Sequence, residues 1–146
     1  MGFEFKLEAL RRYRLFEQEQ MQKTLAEAQR DLEQAKEGLE RHIALRDATE
    51  AEFQAGRAEA ASACQAGLYR HYLNTLANEI ETLRHQVAAA ETVCEQKRQA
   101  LLVAVKKRKA LDRLKEKGGQ AYLADANRKE EKFINEMAIS RFGFKQ

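Results

Sequence analysis

The chain has 146 residues, 34% of them charged, with no proline and no tryptophan, which makes it one domain by length and leaves little material for a compact mixed fold. Its formal net charge of +3 is too small to mark a nucleic-acid binder. Ala, Leu, Glu, Gln, Lys and Arg dominate, the residues that lose least freedom in a helix, so the expected fold is all-α: two long helices in an antiparallel coiled-coil hairpin.

The least charged run, residues 55–67 with Arg57 and Glu59 inside it, is far shorter than the roughly 20 apolar residues of a membrane span. The N-terminus shows no basic segment followed by an apolar run of the kind a secretory signal carries, and a cytoplasmic location is expected.

A first helix is expected over about residues 5–54. It opens loosely through Leu7, Leu10, Arg14 and Met21, with a break in phase between Leu10 and Met21. A regular stripe follows at Leu25, Ala28, Leu32, Ala35, Leu39, His42, Arg46, Thr49 and Phe53, alternating steps of three and four as the seam of a coiled coil does. A turn is expected over about 56–66, with Gly56 as a left-handed cap and Ser62 with Gln65 as a capping box.

The second helix, about 67–138, carries the clearest periodicity: Leu73, Leu76, Ile80, Leu83, Val87, Ala90, Cys94, Lys97, Leu101, Ala104, Arg108, Leu111 and Lys115. Antiparallel pairing sets a positions against d positions, which matches Leu32 with Ala90, Leu39 with Leu83, His42 with Ile80 and Thr49 with Leu73. Each such pair totals 122 in residue number; a shift of one heptad satisfies the pattern equally. Leu7 then falls beside Lys115. Gly118-Gly119 follows where the partner helix ends, and suggests a hinge or a break before a helix bearing Tyr122, Ala126, Phe133 and Met137. Phe142 and Phe144 add aromatics at the tail.

No phosphate-cradling glycine loop is present, and His42, His71 and His85 lack metal-site spacing. Neither catalysis, a cofactor nor a small-molecule partner is expected. Cys64 and Cys94 would lie about 45 Å apart along one helix, so free thiols are expected. Residues 106–117 hold seven basic and two acidic residues, against seven acidic and three basic in 17–40. This is either attraction along the coil or a basic collar suited to an acidic partner. Nucleic acid is disfavoured, since no aromatics interleave the basic residues. Near the turn, Leu68, Tyr69, Tyr72, Leu73 and Leu76 exceed what one seam consumes.

These residues resemble the FliJ family, the stalk protein of the flagellar type III export apparatus. The likeness lies in the opening Phe3-Glu-Phe-Lys-Leu-Glu-Ala-Leu-Arg-Arg-Tyr-Arg and in Leu-Ala-Glu-Ala-Gln at 25–29. It continues in Tyr72-Leu-Asn-Thr-Leu followed by Ile80, in Leu111-Asp-Arg-Leu-Lys-Glu-Lys, and in Arg128-Lys-Glu-Glu-Lys with Arg141-Phe142. The resemblance implies a shaft similar to that of the rotary F-type ATPase, seated in the hexameric export ATPase. It also implies contact with the export-gate membrane protein and export chaperones, so that the chain would work peripherally at the cytoplasmic face of the inner membrane. On that basis Lys106, Lys107, Arg108, Lys109 and Arg113 are the expected ATPase-ring contacts, and Tyr72 and Leu76 the expected gate contacts. An injectisome stalk, a nucleic-acid-binding coil and a self-assembling coil are the alternatives.

Overall fold

A computed structural model describes residues 2–58 and 63–144. Among them there are two helices and no strand: α1, Glu8–Ala58, of 51 residues, and α2, Ala63–Phe144, of 82. The helices pack antiparallel as a coiled-coil hairpin. Residues 59–62, with the expected centre of the turn and Ser62 of the capping box, lie outside the described residues, as do the side chains of Phe142 and Phe144.

α1 starts at Glu8, where a carboxylate in the first turn meets the positive end of the helix dipole. The Glu8 amide donates to the Phe5 carbonyl at 3.1 Å and the Arg11 amide to that of Leu7 at 2.9 Å. Gly56 lies inside α1 and does not cap it, and α2 runs through Gly118-Gly119 without a break.

The chain divides into two compact units, Gln20–Leu101 and Met1–Glu19 with Leu102–Gln146. In the first, the expected stripes are the buried faces. Ala28, Thr49, Leu76, Ile80 and Cys94 are buried, and the remaining seam positions of both helices are half-buried. The Phe53 and Tyr69 rings stand 5.4 Å apart, a pair whose numbers total 122. His42 Nε2 lies 3.5 Å from Glu79, one step from that register. These contacts select one register and exclude a one-heptad slip.

In the second unit Ala104 and Leu111 are buried from α2, but the α1 stripe facing them is not the apolar one. Leu7 and Leu10 are exposed, whereas Arg14 is half-buried as expected; Glu8, Arg11, Leu15, Glu17 and Gln18 are half-buried with it. The reason is phase. The stripe through Leu15 and Gln18 meets the stripe through Met21 and Leu25 by two consecutive steps of three, a stammer that falls within the expected break.

One seam makes a thin core, and among the described residues no side chain is completely enclosed. Stability should therefore depend on the seam positions and little on the outer surface. Ile80→Ala is expected to cost about 2–5 kcal/mol, and Leu102→Ala, on the outer surface, less than about 0.5 kcal/mol. Urea-unfolding midpoints of the two variants check this.

Candidate functional site

With no enclosed core, chemistry has only the surface to work on. Among the described residues no group of three His, Cys, Asp or Glu side chains is placed to hold a metal. Cys64 is exposed and Cys94 buried, both as free thiols. No helix is long and apolar enough to cross a membrane among the described residues.

The basic stretch separates into two populations according to the helical wheel. Arg108, Leu111 and Lys115 face α1. The Arg108 guanidinium is mostly covered, donates to Gln18 Oε1 at 2.5 Å and pairs with Asp112. Asp112 is also 3.3 Å from Arg11, whose guanidinium holds Glu8 at 2.9 Å; Lys115 Nζ reaches the same Glu8 carboxylate at 3.1 Å. This network of charges shares the seam of the unit with Leu15, Ala104 and Leu111. Arg11 and then Lys115 hydrogen-bond the Glu8 carboxylate and hold its pKa down to about 2. The same bonds, which the Glu8 carboxylate accepts from the guanidinium, raise the pKa of Arg11.

The other population points away. At about 100° per residue, Lys106 and Arg113 fall within roughly 20° of the pole opposite the seam, Lys117 about 30° and Lys109 about 50° from it, whereas Lys107 lies about 110° from it, on the flank beside the seam. All five are exposed, and none has an ion pair among the described residues. Leu102 and Val103, each about half exposed, flank this face. Three of the five expected ring contacts, Lys106, Lys109 and Arg113, thus share one accessible surface; Lys107 is exposed on the flank, and Arg108 is covered.

The expected gate pair is divided in the same way. Tyr72 is 44% exposed, whereas Leu76 is 2% exposed, inside the seam. Leu68 and Leu45 are the other large apolar side chains exposed in this unit near the Phe53–Tyr69 contact in sequence. An open groove lined by His42, Thr75, Glu79 and Leu83 runs along the coil flank. The His42 Nδ1–H donates to the Gly38 carbonyl at 3.0 Å, which turns Nε2 toward Glu79.

Sequence reasoning missed the polar network. A signal for it was present: Arg108 and Lys115 occupy seam positions, and cations there need acceptors from the first helix, which Gln18 and Glu8 supply. It also missed the place of Phe3, which lies against Gly118 and Gly119.

The described residues form a two-helix antiparallel hairpin that carries exposed cationic and aromatic side chains. The chain belongs to the FliJ family: the family described as flagellar FliJ protein matches residues 3–146, essentially the whole chain. It is a flagellar export-related stalk protein and associates with the flagellar export machinery. No match is found among curated proteins or among solved structures.

The Glu8 network gives a pH dependence with a definite sign. A carboxyl whose folded pKa is depressed contributes stability that is complete above its ordinary value of 4.5 and lost as pH falls toward about 2. Glu8→Gln is expected to be less stable than the native chain at pH 7, with the difference shrinking between pH 4.5 and pH 2. Urea unfolding at three pH values across that window checks it.

Proposed function

We propose that the chain seats the end bearing Lys106, Lys107, Lys109 and Arg113 in the hexameric export ATPase ring, and presents the surface around Tyr72 to the export-gate membrane protein and to export chaperones. The observation that carries this reading is the set of exposed cations without ion pairs among the described residues, Lys106, Lys109 and Arg113 on the face of α2 opposite the seam and Lys107 on its flank. Charges left unpaired by the fold attract an acidic partner without first breaking internal pairs, and they steer its approach. The FliJ membership supports the flagellar system over an injectisome. Such a stalk works at the cytoplasmic face of the inner membrane, held there by its partners.

Arg108 and Leu76 take structural roles in this proposal. Arg108 ties α2 to Gln18, and Leu76 closes the seam beneath the surface to which Tyr72 contributes.

Changing Lys106, Lys107, Lys109 and Arg113 together to Glu is expected to abolish stimulation of ATP hydrolysis by the purified export ATPase while helicity by circular dichroism is unchanged. Retained stimulation sinks the assignment. Arg108→Glu is expected to act differently, lowering the unfolding midpoint. Tyr72→Ala should weaken binding to the cytoplasmic domain of the gate protein about 5- to 30-fold, read by calorimetry, as loss of an interface aromatic worth about 1–2 kcal/mol does.

A further inference from the structure

Two adjacent glycines stand in the interior of α2, where each weakens a helix about fivefold relative to alanine. They also fall where the coil runs out: Lys115 still reaches Glu8 in the first turn of α1, and every described side chain over 121–141 is exposed. The helix nonetheless continues to Phe144. Gly118 and Gly119 are themselves half-buried, and what covers them is the segment ahead of α1. A methyl at Gly118 would sit 2.9 Å from Phe3 Cζ and 3.3 Å from Cε2, while one at Gly119 would meet the ring at an ordinary 3.9 Å. The same ring is 5.9 Å from that of Tyr122, one turn further on. The missing side chain at Gly118 makes the notch, and Phe3 fills it.

We propose that residues 2–5 are a strap that decides whether α2 continues as one stiff helix beyond its coil partner or bends at Gly118-Gly119. With Phe3 seated, the ring spans the glycine pair and Tyr122, and replaces the side-chain contacts that the glycines lack. With Phe3 lifted, two consecutive residues of high backbone freedom remain with nothing across them, and the segment bearing Tyr122, Leu123, Phe133, Ile134 and Met137 is joined to the coil by a hinge. Those five side chains are exposed, so the strap sets the direction in which an apolar stripe is presented. The seating is suited to reversal. Phe3 remains 37% exposed, and residues 2–5 are outside any helix, held at their far end by the Phe5 carbonyl that accepts from the Glu8 amide.

Hydrogen exchange of the full-length chain, read by mass spectrometry over residues 116–124, tests the device. Phe3→Ala should speed exchange there about 3- to 10-fold, the range for losing an aromatic contact, while the seam around Leu76 and Ile80 keeps its native protection. Adding Gly118→Ala and Gly119→Ala to Phe3→Ala should bring the rate back to or below native, because alanine supplies the helix preference that the strap otherwise replaces. Gly119→Ala alone, with Phe3 present, should slow exchange, since the ring tolerates a methyl there. Native-rate exchange in Phe3→Ala overturns the proposal. So does exchange that stays fast once both glycines are alanine, which would mean that the strap does not act through the glycine pair.

Discussion

One seam between two helices has to hold the chain, and most of the remaining structure follows from how thin that seam is. A side chain in a two-helix coil touches one partner helix and then water, so even Leu76, Ile80 and Ala104 keep a trace of exposure. Stability therefore comes from the repetition of small contacts, and each residue off the stripe is left for solvent or for another protein. In the unit made of Met1–Glu19 and Leu102–Gln146 the seam joins the apolar Leu15, Ala104 and Leu111 to a polar network, with Glu8, Arg11 and Gln18 facing Arg108, Asp112 and Lys115. Charged seam residues contribute less than leucines would, but they are particular about their partners. A slip of one heptad carries Asp112 away from Arg11 and Gly118 away from Phe3, whereas an apolar stripe would tolerate it far better.

That contrast explains how much of the fold can be read from the residues alone. Through Gln20–Leu101 the alternation of three and four is carried mainly by Leu, Ile, Val and Ala, and every periodic position is buried or half-buried. Before Glu19 the rule that apolar residues mark the stripe fails. Leu7 precedes the helix and Leu10 sits off the seam, while Glu8, Arg11 and Gln18 occupy it because each has a partner on α2. Periodicity registers hydrophobicity, and it is blind to a seam made of ion pairs. Gly118-Gly119 misleads for a related reason. Taken locally the pair signals a break, and only the return of Phe3, distant in sequence, removes it.

The candidate surfaces were legible as regions and illegible as individual residues. A run of seven cations in twelve residues is plain in the sequence, yet adjacent members of it face opposite ways: Lys107 and Lys109 lie in solvent, and Arg108 between them turns to Gln18. One position on a helix is about 100° of rotation, so a phase error of a single residue exchanges a contact for a seam residue. Tyr72 and Leu76 show the same thing. They sit one turn apart, and the small angular difference between them puts one ring in water and the other side chain under the coil.

The two readings of the basic stretch, attraction within the coil and, under the proposed function, attraction to a partner, therefore apply to different residues. Arg108 and Lys115 neutralise acids of the coil itself, and Lys106, Lys109, Arg113 and Lys117 are left facing one another at spacings of three and four. Like charges at those spacings weaken a helix by a few tenths of a kcal/mol per pair. Such a face is a cost to the free chain, carried by the seam behind it. An acidic surface laid against it both forms new pairs and relieves the repulsion already present. The gain on docking then exceeds that of the new pairs alone, which is reason enough for a stalk to keep its cations on the pole where its own acids cannot reach them.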